Sequence, residues 1–308
     1  MDAVISLFSD AQQWVFESLV QPLMFHLGLG NLLAEGYNAT GWLLVGVVQI
    51  VVMLFFIGPL QRWRPVEALT DRPTVRVDVL YTLIHRLGLF RLALFFSLDP
   101  VFDALFGAWR VAGLGTFHLD AVWPGVTDHA VVSLLIYLVV MDALDYGIHR
   151  GQHRFEWWWR LHSLHHAQRQ MTMWSDNRNH LLDDVIRSAI VVVVAQLIGI
   201  APSQFVVIVA LTQLSESFHH ANLRVWFGRL GERLWISPRF HRQHHSVQAG
   251  EHNFGVLMPW WDMLFGTANF EHRFEPTGVR DQVEQGRDYG RGFWSQQWLG
   301  LKRLSGRA

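Results

Sequence analysis

The chain contains no cysteine among its 308 residues, which excludes disulfides, iron–sulfur clusters and thiolate zinc sites together. Any metal it binds is held by nitrogen and oxygen. Charge is scarce as well. Asp, Glu, Lys and Arg make up 17% of residues, against roughly a quarter in a soluble domain. With a formal net charge of −1, nothing points to nucleic acid or an acidic polymer as a partner. The HExxH zinc-protease helix is missing, as are Gly-rich phosphate loops and any flavin, nicotinamide or haem-binding signature. No internal repeat or low-complexity segment occurs. The amino terminus lacks the basic region and small-residue cleavage site of a secretory signal, so it is expected to stay in the mature protein.

What the chain does have is apolar length. Hydrophobic residues make up 51% of it. Residues 41–60 hold no charge and match the roughly 20 apolar residues that cross a bilayer. Residues 130–148 give a second such run. The stretch 78–106 is apolar but interrupted by His85, Arg86 and Arg91, its clean part being 92–106; a loop over 107–129 follows. Residues 188–214 are apolar on both sides of Ala201-Pro202-Ser203, which predicts a helical hairpin with short arms. Residues 11–34, broken by Pro22 and two glycines, predict an interfacial or re-entrant helix. The 15 Trp suit aromatic belts at the membrane surface. In the tail, 292–304 places Phe293, Trp294, Trp298 and Leu301 on one face, for a helix lying on the membrane or packed on the rest of the protein.

Charge placement orients these spans. No Lys or Arg precedes Arg62, whereas the link after the first span carries Arg62, Arg64, Arg72 and Arg76. By the positive-inside rule the link faces the cytoplasm. Counting forward, 149–187 returns to the cytoplasm. The expected architecture is therefore an all-α integral membrane bundle with about four spanning segments and a cytoplasmic histidine-rich helical cap. Three regions follow: 1–129 in the membrane, 130–270 catalytic, and the tail 271–308.

The cap carries most of the chemistry. Of 17 histidines, eight fall in three clusters: His149 and His153; His162, His165 and His166; His241, His244 and His245. Helical residues three and four apart share a face, so each cluster aims its imidazoles at one point. Neutral imidazole is the commonest protein ligand for Zn, Cu, Fe and Ni, and eight of them suit more than one ion. His26, His85, His118, His129 and His272 stand alone and are read as core or surface residues. Carboxylates near the clusters are candidates for orienting imidazole N–H groups: Asp145 one turn and Asp142 two turns before His149, with Asp183 and Asp184 after His180. Arg150, Arg178 and Arg242 are expected to hold these carboxylates or that of Asp262.

In these same residues the chain resembles the fatty acid hydroxylase/sterol desaturase superfamily of integral-membrane, histidine-bound di-iron enzymes. The resemblance runs over about 130–270. It begins at Asp142, Tyr146 and His149-Arg150…His153 and continues through Trp159-Arg160-Leu161-His162…His165-His166. Arg178-Asn179-His180 follows, with Leu181 where relatives often carry proline, and then Phe218-His219-His220-Ala221-Asn222. Pro238…His241-Arg242-Gln243-His244-His245 looks like the third box, and Asn253-Phe254-Gly255 with Trp261 to Thr267 like the closing signature. Position by position, the resemblance implies two iron ions held by His149, His153, His162, His165, His166, His220, His241, His244 and His245. His180 is a further candidate ligand. Glu216 stands where some relatives have another histidine. Asp142, Asp145, Glu216, Asn222 and Asp262 are the candidate catalytic or supporting residues.

The function this implies is O2-dependent hydroxylation of a lipid: a sterol, fatty acyl, alkylglycerol or carotenoid-like substrate taken from the bilayer. Electrons would come from a separate reductase or small carrier. The rival readings are desaturation at the same site, a zinc-dependent membrane hydrolase using some of the same ligands, and a metal-storing or structural protein.

Overall fold

A computed structural model describes residues 2–248 and 251–307. Among these residues the chain is helical and has no strands, only an isolated bridge between Ser246 and Thr277. The first helix, α1 (Asp2–Val15), continues through a π turn, Phe16–Val20, to His26. The next, α2 (Gly30–Trp63), contains a second π turn at Met53–Ile57. Each π turn ends just before a proline, Pro22 or Pro59. A proline ring clashes with the carbonyl of the preceding turn and supplies no N–H, and the wider π turn absorbs both defects without ending the helix. Pro22 therefore does not break the first segment where the sequence pattern puts a break. The turn comes later, at Gly28, whose φ of 72° suits glycine alone.

Helices α3 (Arg72–Arg86) and α4 (Leu89–Ser97) meet at a 50° bend, made by Gly88 in the left-handed region. The short α5 (Asp99–Val111) follows, so the helix extends into the first residues of the expected loop. Next come α6 (Ala130–Arg154) and α7 (Glu156–His166), separated only by extended Phe155. The expected hairpin is present as α8 (Leu181–Leu197) and α9 (Pro202–His219). The last two helices bearing on the site are α10 (Pro238–His244) and α11 (Phe293–Leu304).

Among the described residues two helices, α2 and α6, are long and apolar enough to cross a membrane, and a third if α3 and α4 count as one bent span. That is fewer than the four expected. The outer face of α2 presents exposed Val48, Leu54, Phe55 and Phe56, the pattern of a helix solvated by lipid. Its inner face packs Met53 and Ile57 against Met173, Ala221 and Leu223.

Between α2, α3 and α9 the interior is polar. The Arg86 guanidinium, 3% exposed, donates to Gln49 Oε1, Gln213 Oε1, Ser217 Oγ and Asp176 Oδ2. A buried charge is tolerated only when paired, and here only Nε is left without a partner. The helices approach closely enough there that a Cβ on Gly46 would run into the Arg86 carbonyl. On the opposite side, α11 buries Phe293, Gln296, Gln297 and Gly300 against α3 and α7 and leaves Trp294 and Trp298 exposed. The tail helix is thus packed on the protein along one face and apolar on the other.

Candidate metal centre

The end of α6 carries His149 and His153 one turn apart, and Phe155 reverses the chain so that α7 lies back against α6. That brings His162 and His166 opposite them, with the rings of His149 and His162 5.3 Å apart and those of His153 and His166 4.7 Å apart. Ring nitrogens of His149, His153, His162 and His166 all lie within 4.8 Å of one another. His165 projects from α7 to a second group with His220, at the end of α9, and His241 and His245, at α10, under the same 4.8 Å limit. His244 and His245 join His166 in a third set that bridges the two. Nine imidazoles from four stretches of chain meet here, the nine that the sequence expectation names as principal ligands.

Hydrogen bonds fix the tautomers. His149 Nδ1–H donates to the Phe254 carbonyl at 2.8 Å, His244 Nδ1–H to the His252 carbonyl at 2.7 Å, and His220 Nδ1–H to the Glu216 carbonyl at 2.8 Å. A carbonyl only accepts, so each Nε2 presents a lone pair to the interior. His162 Nδ1 lies 3.1 Å from Asp183 Oδ2, and that carboxylate also accepts from Gln152 and Trp158. Burial, reinforced by the neighbouring imidazoles, holds His165, His166, His241 and His245 well below the usual histidine range. Burial likewise pushes His244 down to about 3. These five rings are neutral, the form that ligates.

The Nε2 atoms of the second group face each other. His220 Nε2 is 3.1 Å from both His165 Nε2 and His241 Nε2, and His241 Nε2 is 3.2 Å from His245 Nε2. Nitrogens bound at about 2.0–2.1 Å to one ion sit roughly 3 Å apart. The buried Nε2 atoms of His149, His162 and His244 have no hydrogen-bond partner at all. Orphaned acceptors in a dry interior are costly, and a cation satisfies all of them together. The donor set therefore fits imidazole-binding transition metals.

The remaining expected residues fall elsewhere. His180 is in neither group: its Nδ1 caps α8 by accepting from Leu182 N–H, and its Nε2–H donates to the Gln297 carbonyl. Both of its nitrogens therefore have hydrogen-bond partners outside the two groups. Asp142 does not reach His149; it accepts from Leu257 N–H and Trp261 Nε1–H and fastens the 257–261 turn to α6. Asp145 and Glu216 pair with Arg187, at 3.1 and 3.4 Å. Asp262 accepts from Phe254 N–H, Gly255 N–H and the Thr267 hydroxyl, and burial lifts its carboxyl to about 6. It acts on the cluster through the loop that carries the Phe254 carbonyl. Asn222 ties the end of α9 to Val66 and Glu67. Arg178 and Arg242 hold carboxylates other than those expected, Asp78 and Glu67, and Arg150 donates to the Tyr146 hydroxyl. The orienting groups that the sequence pattern did not single out are the Phe254, His252 and Glu216 carbonyls, which have no side-chain signature.

Comparison with known proteins agrees with this geometry. Residues 134–267 match the family described as fatty acid hydroxylase. Relatives include an ornithine lipid hydroxylase of Rhizobium tropici, 29% identical over 53% of this chain and 50% of its own length. An alkylglycerol monooxygenase of Caenorhabditis elegans is 24% identical over 78% of this chain and 44% of its own. A lathosterol oxidase of Homo sapiens is 24% identical over 57% of this chain and 58% of its own. The chain thus spans about half the length of the curated relatives it matches. No solved structure matches.

Proposed function

The chain belongs, through residues 134–267, to the fatty acid hydroxylase/sterol desaturase superfamily, and on that premise we propose that it is an O2-dependent di-iron oxidoreductase that hydroxylates a membrane lipid. The observation that carries this reading is the pair of four-imidazole groups whose ring nitrogens converge within 4.8 Å of one another. His149, His153, His162 and His166 would hold one ion, His165, His220, His241 and His245 the other, with His244 between them. When bound, two irons supply activation of O2 and removal of hydrogen from an unactivated C–H bond. The protein's part is geometry and dryness. The Phe254, His252 and Glu216 carbonyls and Asp183 orient the rings, and Asp142 and Asp262 brace the loop that carries two of those carbonyls.

The same reading takes 130–270 as the catalytic region, 1–129 as its membrane anchor and 271–308 as a tail packed on it. Four segments would cross or enter the bilayer, with the histidines on the cytoplasmic side. Electrons would come from a separate donor. The relatives named as hydroxylating, oxidising or oxygenating lipids support a lipid substrate.

Metal analysis of the purified chain tests this proposal. About two Fe per chain, with O2 consumed on addition of reductant and a lipid extract, is the expected result. One Zn and no O2 dependence would replace it with a hydrolase. In the product, a mass gain of one oxygen identifies hydroxylation and a loss of two hydrogens identifies desaturation.

A further inference from the structure

A cavity of about 220 Å³ lies among the apolar helices and shares part of its polar lining with a smaller chamber at the metal centre, and its two ends differ. The outer end is lined by Trp42, Val45, Phe90, Leu94, Phe102 and Phe205 from α2, α4, α5 and α9, with the Arg91 guanidinium over the Trp42 ring and Asp99 beside them. The inner end is lined by Asp145, Asp176, Asp184, Arg187 and Glu216, which also line the small chamber beneath His149, His162, His165, His220 and His241. These polar side chains form the partition between the two spaces. Arg187 bridges Asp145 and Glu216 within it, yet keeps 30% of its side chain accessible, and Glu216 keeps 21%. Both lie among packed helices, so the cavity is what they are accessible to.

The charge at this end does not balance. Arg86 is spent on Asp176, at 2.8 Å, and Arg187 is shared between Asp145 and Glu216. Asp184 has only His85, whose Nε2 stands 3.3 Å from Oδ2 without making a hydrogen bond. Asp176 Oδ1 and Asp184 Oδ2, in residues each 8% exposed, have no hydrogen-bond partner. Four carboxylates thus face two guanidinium groups and an imidazole, a net negative charge among these side chains, with Arg86 Nε and Asn177 Nδ2 unpaired there as well. An apolar chain end pressed against them would leave those acceptors dry and unpaired, and an anion would meet like charge.

We infer that this cavity takes a lipid head-group inward, and that the head group is a hydrogen-bond donor, a hydroxyl or an ammonium, and not a carboxylate or phosphate. The apolar outer end takes only the first part of the tail, since the cavity is smaller than the roughly 300–1,000 Å³ that encloses a whole drug-sized ligand. The rest of the tail stays in the bilayer, so the lipid slides in sideways with its head at the level of the partition. Resting on the oxygenase reading, this places the oxidised carbon a few bonds from the head group and far from the terminal methyl.

The test is displacement of a fluorescent lipid from the purified, detergent-solubilised, metal-loaded chain by probes that share one hexadecyl tail: hexadecylglycerol, hexadecylamine and palmitate, at neutral pH. The alcohol and the amine should each displace at a concentration at least about tenfold lower than palmitate. An advantage of amine over alcohol that Asp184→Asn removes would assign the recognition to charge; equal alcohol and amine would assign it to hydrogen bonding, and either supports the inference. Palmitate binding as tightly as the alcohol to the unaltered chain overturns it. Displacement needs neither O2 nor reductant. A chain that prefers the alcohol but oxidises nothing therefore sinks the oxygenase proposal alone, whereas indifference to the head group with normal turnover sinks this inference alone.

Discussion

His220 Nε2 lies 3.1 Å from His241 Nε2 while its own Nδ1–H is committed to the Glu216 carbonyl. His220 therefore offers His241 a lone pair and cannot donate to it. A cation shared between the two rings would take that lone pair. Replacing His241, His244, His245 or His165 with Ala should abolish turnover and lower the metal content of the purified chain from about two ions to about one or fewer. Full activity and full metal in His244→Ala would contradict the assignment.

Asp183 and His180 sit three residues apart and make opposite predictions. Asp183 Oδ2 accepts from His162 Nδ1 and its other oxygen from Gln152 and Trp158, so it sets the ring's tautomer and direction. Removing such a partner costs about 10–100-fold in metal affinity or activity, and Asp183→Asn should show that loss by metal titration. His180 instead caps α8 and bonds the Gln297 carbonyl of α11. His180→Ala should lower the melting temperature and leave the metal content of the folded protein unchanged. Metal lost from the His180 variant and kept in the Asp183 variant would reverse the two roles.

The contrast shows what the residue pattern reveals and what it hides. Identity and spacing expose the imidazoles, because i, i+3 and i+4 positions on α6, α7 and α10 must share a face whatever the tertiary fold. What orients them is largely backbone: the Phe254, His252 and Glu216 carbonyls leave no trace in residue type. His180 looks like a ligand because its neighbours resemble a ligating motif, and only the arrival of α11 beside it shows that both nitrogens are occupied. The same limit applies in the membrane region. Apolar length identifies α2 and α6 directly. The helix breaks expected at Pro22 and avoided at Pro59 depend on π turns, which involve backbone register and no particular side chain.

Gly46 shows a constraint of this kind that can be tested. Its Cα faces the Arg86 carbonyl so closely that a Cβ overlaps it, where α2 and α3 enclose the Arg86 side chain and its partners. Gly46→Ala must push the helices apart, and overpacking of this type costs about 1–3 kcal/mol. The variant should melt lower than the parent in detergent, by roughly 2–4 °C for each kcal/mol lost. Gly107→Ala, where the added carbon meets nothing within 4 Å, serves as the control and should leave the melting temperature unchanged or raise it. Equal melting of the Gly46 and Gly107 variants would mean that α2 and α3 do not touch there.

The neutral histidines predict acid sensitivity in the metal-free chain. Burial holds His244 at about 3 in the folded state, against 6.5 when unfolded. As pH falls the unfolded chain takes up the proton first. The contribution of neutral His244 is therefore complete above about 6.5 and is lost progressively as pH drops toward 3. Within that window each such residue removes about 1.4 kcal/mol per pH unit, and His165, His166, His241 and His245 shift in the same direction. Melting of the chelator-treated protein should fall steeply between neutral pH and pH 5, and metal should oppose the fall because ligation competes with protonation. A flat profile would mean that the rings are solvated and the cluster open.

Because the chain has no native cysteine, the membrane orientation can be tested with single introduced thiols. Arg72 and Arg273 are exposed and belong to the link and tail that the positive-inside rule assigns to the cytoplasm; Val122 is exposed in the loop assigned to the other side. In intact cells a membrane-impermeant maleimide should label Val122→Cys and spare Arg72→Cys and Arg273→Cys, and permeabilised cells should show all three labelled. The two protected positions come from stretches that flank the histidines on either side in the sequence. Their shared protection would put the metal centre beside the cytoplasmic surface, within reach of a soluble electron donor. Labelling of Arg72→Cys without permeabilisation would invert the protein in the membrane and require the electrons to be delivered from the opposite face.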